Sequence, residues 1–217
     1  MQSADEKAFE QYRESLKQEV TRLACFIRVY RLIQERRGDR LNELNIAPSF
    51  FHTVNDTLFS AIVLWTDKLF DEDSQRGLCN FLKFVEHHRP IFSRDAFQHR
   101  RNLPDGDWRL ERMQDIEYQT VQKDRDAISN FEPLKSIRLR RDKFHAHFDK
   151  HYFFDRKRIA DEAPLKWSDL ENAMELLKDI LNRYSAAYDG AVFHIDPLNV
   201  DDLNYLLDNL HAAKPHA

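Results

Sequence analysis

Four glycines in 217 residues, no two of them close together, narrow the folds open to this chain more than any other feature. Gly38, Gly77, Gly106 and Gly190 are far too few for a protein built from many tight β-turns, where glycine supplies positive-φ positions. The average share of glycine is about 7%. Their separation also excludes a glycine-rich phosphate loop, and with it the P-loop and dinucleotide-binding enzymes. Charged residues make up 32% of the chain and the mean hydropathy is −0.68, a balance that suits amphipathic helices with solvated outer faces.

The apolar spacing agrees. Phe9, Tyr12, Leu16, Val20, Leu23, Ile27 and Tyr30 recur in steps of three or four, which predicts a long first helix over 1–37. It opens at a capping box, Ser3-x-x-Glu6, and ends near Arg37-Gly38. Pro48-Ser49 restarts the pattern through Phe51, Val54, Leu58, Ile62, Trp65 and Leu69, with Phe50, Phe59 and Leu64 marking this helix as the most buried. Further helices are predicted over Ser74–His88, Ser93–Arg101 and Met113–Ser129. Pro133 then starts a helix over 133–150. Ser168-x-x-Glu171 reads as a second capping box, opening a helix with Leu170, Met174, Leu177, Leu181, Tyr184 and Tyr188 inward. Leu203, Leu206, Leu207 and Leu210 close the chain on a short helix. No segment alternates with period two for long enough to require a strand. The expectation is an all-α, single-domain helical bundle of seven or eight helices spanning 1–217, built around the first two helices, the Pro133 helix and the Ser168 helix.

No strictly apolar run is longer than the five residues of Ala61–Trp65, against about 20 residues for a membrane span, so no membrane association is expected. The opening Met-Gln-Ser-Ala-Asp-Glu-Lys is polar and unlike a secretory signal. Cys25 and Cys79 lie in apolar helical patterns without metal-ligand spacing. They read as buried thiols of a reducing compartment, and a cytoplasmic location is expected.

The net charge of −4 does not mark a nucleic-acid binder, but its distribution does. Between Lys135 and Arg158 nine basic and three acidic side chains give +6 in 24 residues, leaving −10 on the remainder. His145, His147 and His151 fall here, interleaved with Phe144, Phe148, Tyr152, Phe153 and Phe154. A basic stretch with aromatics fits an anionic polymer, RNA or DNA; a solvated helix face with a basic loop would give the same count. Leu134, Ile137, Arg141, Phe144 and Phe148 are spaced 3, 4, 3 and 4, so Arg141 occupies a core-type position. An arginine there needs a carboxylate, a substrate phosphate or an opening in the bundle. On a regular helix His147 lies about 9 Å further along the axis and about 120° around it, so both side chains can border one groove. Histidine moves protons near neutral pH and arginine braces a phosphate, a minimal set for phosphodiester cleavage. His147 and His151 also have the i, i+4 spacing of two metal ligands, but no glutamate stands between them and the +6 surroundings oppose a dication.

The string Arg141-Asp142-Lys143-Phe144-His145-Ala146-His147-Phe148-Asp149 resembles the signature of the HEPN superfamily, and most of all its branch of U-type abortive-infection proteins. Leu64-Trp65-Thr66-Asp67-Lys68-Leu69-Phe70-Asp71 is similar to a second helix of that branch. The resemblance implies a homodimer with two motif helices across a shared cleft. It implies a metal-independent endoribonuclease without cofactor, of a toxin–antitoxin or phage-defence system. By position it makes His147 the acid–base residue, Arg141 the clamp on the phosphorane, and Asp142 the polar residue that orients the pair. Arg138, Arg140, Lys143, His145 and Lys150 then face RNA, with Tyr152, Phe153 and Phe154 as stacking surfaces. Arg140 and His145 offer a second register, but only Arg141/His147 brings the Asp-Lys neighbours and the small Ala146 before histidine. Other HEPN members hold nucleotide or RNA without cleaving it, or partner nucleotidyltransferases. An antitoxin or nucleotidyltransferase would here be a separate chain.

Overall fold

The computed structural model describes residues 2–145, 149–155, 157–195 and 202–212. Every regular element among them is helical, and eight of the helices run to seven residues or more. Helix α1 covers Ala4–Arg36. Its start is the predicted box: Glu6 N–H donates to Ser3 Oγ at 3.1 Å and Ser3 N–H donates to the Glu6 carboxylate at 2.8 Å. Two orphan amides of the first turn are satisfied at once.

A single turn, α2 (Leu41–Leu44), precedes α3 (Pro48–Phe70), which has proline in its first turn where a missing N–H costs nothing. Helix α4 (Leu78–His87) begins later than predicted because Gly77 takes extended backbone as its N-cap. A Cβ on Gly77 would lie 3.1 Å from the carbonyl oxygens of Lys68 and Leu69. A 3₁₀ turn (Arg89–Phe92) leads to α5 (Arg94–Arg101), capped by Ser93, which accepts from Ala96 N–H. Then come α6 (Trp108–Glu111) and α7 (Tyr118–Ser129), the latter starting five residues after Met113.

The predicted helix over 133–150 is not one regular helix. It runs as α8 (Pro133–Arg140) and widens into a π turn over Arg141–His145. Beyond the π turn lie α9 (Lys150–Phe154) and α10 (Arg158–Glu162). Helix α11 (Trp167–Asp189) starts before Ser168, so Ser168 is inside the helix rather than its cap. The first-turn carboxylate is Asp169, which accepts from Lys166 N–H at 2.7 Å. Gly190 ends α11 in the left-handed region at φ +80°, its N–H donating to Ala186 O. Helix α12 covers Asp202–Ala212.

The core joins α1, α3, α4, α7, α8 and α11. Helix α1 lies along α3 and α11; α3 also carries α8, and α4 carries α7. At one end Phe9, Phe81, Phe92, Tyr184 and Tyr188 interlock, with Phe9 and Phe92 edge to face at 4.9 Å. Such pairs add about 0.5–1.5 kcal/mol each beyond the area they bury. Below the rings, Tyr184 Oη donates to buried Asp124 at 2.7 Å, and Arg183 binds the same carboxylate. Phe50, expected inside, is exposed, because α3 turns that side of its first turn outward; Phe51 is the buried neighbour. Phe51, Leu44 and Leu207 form a satellite cluster that seats α12. Among the described residues no helix is long and apolar enough to cross a membrane.

Candidate functional site

The site is built where α8 meets the C-terminal half of α3. Leu134 and Ile137 of α8 are buried, as their stripe requires. The next position on that stripe is Arg141, the first residue of the π turn. Its guanidinium reaches α3: Nη1 donates to Asp67 Oδ2 at 2.6 Å, and Nε donates to Asp142 Oδ1 at 2.7 Å. The Arg141 side chain keeps 30% of its surface exposed, while Asp67 keeps 3%. The arginine therefore has both an internal carboxylate and an opening to solvent. Among the described residues, Nη2 has no partner.

The sequence does not single out Asp67 by its own chemistry. A signal was present: it stands four residues after Val63 and three before Phe70, both fully buried, so it too occupies a core-type position. Two charges of opposite sign on apolar stripes are a candidate pair. Oδ1 of Asp67 is buried without a hydrogen-bond partner among the described residues. Burial raises the proton affinity of this carboxyl above the ordinary value, although Arg141 and Arg138 pull the other way; Asp71 adds to the rise. Arg141 is pushed up in turn, chiefly by its bond to Asp142. It stays charged at any pH of interest.

The neighbouring arginine behaves differently from expectation. Arg140 is turned inward and only 8% exposed, with Nε donating to Ala163 O at 2.7 Å and its guanidinium over the Phe59 ring. Burial lowers its pKa. A side chain so placed does not steer an RNA backbone; it joins α8 to the end of α10. Tyr152 is likewise no stacking surface. It is buried beside Ile159 and Ala163, and its hydroxyl binds Glu162. Phe154 is exposed.

Of the other predicted contacts, Lys143 is exposed and pairs with Asp149 at 3.3 Å, and Lys150 is exposed at the start of α9. Arg138 is half-buried on α8. His147 lies outside the described residues, as do the side chains of His145, His151 and Phe153. The π turn removes the premise of a regular helix on which the 9 Å and 120° relation of Arg141 to His147 rested. π turns inside helices occur frequently at functional sites. Among the described residues no group of three or more His, Cys, Asp or Glu side chains could hold a metal ion.

An all-α bundle, with the arginine of the nine-residue string emerging from α8 against α3 and a long helix after it, has the layout of the HEPN class. Comparison with known families narrows this. Residues 6–209 match the family HEPN_AbiU2, described as AbiU2, and the chain belongs to that family. It is an abortive-infection HEPN-like protein. No curated protein and no solved structure matches it.

Proposed function

We propose that this chain is a metal-independent endoribonuclease, acting as a homodimer that brings two motif segments to one cleft. The observation that carries the reading is Arg141. It belongs to the HEPN string, is held by Asp67 and Asp142, and still reaches solvent. Arginine offers five N–H donors. Two of them are used among the described residues, and the fork can still grip a phosphoryl group.

The chemistry needs only the substrate's own nucleophile. The ribose 2′-oxygen attacks the adjacent phosphorus, and His147 handles the protons: the 2′-hydroxyl loses one and the departing 5′-oxygen gains one. The P–O5′ bond breaks, leaving a 2′,3′-cyclic phosphate and a 5′-hydroxyl. Arg141 stabilises the charge that builds on the phosphorane oxygens. Lys143 and Lys150 supply sequence-independent attraction for the backbone.

A non-catalytic RNA- or nucleotide-binding module is favoured by one observation, the tie between Arg141 and a buried carboxylate. The two readings separate in an RNA cleavage assay run in EDTA with the parent chain and His147→Ala. Cleavage by the parent that His147→Ala abolishes, with folding and association unchanged, supports the ribonuclease. An inert parent that still binds RNA supports the module.

A further inference from the structure

We infer that Asp67, on a different helix from the motif, is the positioning residue that aims the Arg141 guanidinium at the scissile phosphate. The inference rests on the ribonuclease reading and adds to it a residue 74 positions away in sequence.

The argument starts from the way the carboxylate is held. One oxygen of Asp67 binds Arg141 at 2.6 Å, and the other is buried with no partner among the described residues. A half-satisfied buried carboxylate is a poor stabilising device. An amide or apolar residue of the same volume would fill the position without the desolvation penalty of a charge. The features that an amide could not reproduce are the negative charge behind the guanidinium and a hard, short acceptor on Nη1. These hold a long, rotatable side chain in one direction.

The geometry of the second contact supports this. Asp142 takes Nε on the solvent side while Asp67 takes Nη1 from within, so the two carboxylates grip the guanidinium at separate nitrogens. Asp142 is half exposed and adjacent in sequence, and water and chain motion compete with it. Asp67 is fixed in the last turn of α3, between the fully buried Val63 and Phe70. The exposed carboxylate can adjust, whereas the buried one sets the direction. The Arg141 backbone begins a π turn, less regular than the helix before it, so a side-chain anchor on another element matters more here.

The test is Asp67→Asn in the full chain, with kcat and KM for a short fluorogenic RNA measured well below the melting temperature. Positioning predicts a kcat at least tenfold lower, with KM within about twofold and an unchanged melting curve. The same change added to Arg141→Ala should cost less than twofold more; if Arg141→Ala does not fold, Arg141→Lys takes its place. A parent that cleaves while Asp67→Asn keeps its kcat overturns the inference and leaves the ribonuclease reading standing. Loss of activity that merely follows loss of folded protein overturns it too, and assigns Asp67 to structure. A parent that cuts no RNA overturns both.

Discussion

At the scale of single residues, the two members of the Asp67–Arg141 pair are not equivalent, and their removal should differ in cost. Arg141→Ala strands a carboxylate that is almost wholly buried, a change worth about 3–5 kcal/mol. Asp67→Asn leaves an arginine that water already reaches, so its effect at neutral pH should stay within about 1 kcal/mol. Urea titrations of both variants check the asymmetry. Their pH dependence gives a second reading. Burial, opposed by Arg141, raises the Asp67 pKa above its unfolded value. A raised acid favours folding below the unfolded pKa, and that contribution is lost as pH rises through the folded value. The parent should therefore lose stability relative to Asp67→Asn as pH climbs through the carboxylate range. The opposite slope would mean that attraction to Arg141 outweighs burial. Arg141 was legible in the sequence because a charge interrupts an apolar stripe. Asp67 was harder to see, because its meaning depends on a partner 74 residues away.

The basic residues of the motif region divide in the same way. Arg140→Ala should cost about 1–3 kcal/mol by leaving Ala163 O unpaired, and should leave the salt dependence of RNA binding alone. Lys143→Ala should change stability by less than about 0.5 kcal/mol and lower the salt slope by about one ion. Equal salt slopes for the two variants would refute this division. Composition marks both as basic and only the packing distinguishes them.

At the scale of elements, the sequence is read best where a local signal has no competitor. The Ser3–Glu6 box directly precedes a strong apolar stripe, and α1 starts there. At α11 the pattern Ser168-x-x-Glu171 looks equivalent, but Asp169 lies between, and its carboxylate on Lys166 N–H sets the start two residues earlier. Asp169→Ala should cost about 1 kcal/mol in thermal unfolding and Ser168→Ala should be close to neutral. The reverse order would restore the serine cap. The π turn after α8 was hidden for a different reason: over five residues, apolar spacing does not distinguish a widened turn from an α-helical one. That one turn decides what Arg141 faces, so the least legible stretch of backbone lies at the candidate site.

At the scale of the molecule, the apolar pattern was enough to define an all-α core, since long amphipathic helices with few glycines have few other ways to bury their stripes. The packing, rather than the pattern, separates the main core from the satellite under α12. Phe9→Ala opens a hole among five interlocked rings and should cost about 3–5 kcal/mol of global stability. Leu207→Ala, in the small cluster with Leu44 and Phe51, should raise hydrogen exchange in α12 and leave the slowest core amides unchanged. Global loss of protection in Leu207→Ala would show that α12 is part of the main cooperative unit.

The measurement that tests the central claim most directly is the chemistry of the ends made when the parent chain cuts RNA in EDTA. Attack by the 2′-oxygen, driven by Arg141 and His147, predicts 5′-hydroxyl ends and 3′ ends that resist phosphatase until acid opens a cyclic phosphate. Fragments with 5′-phosphate and free 3′-hydroxyl ends, the products of water attack, would contradict the account.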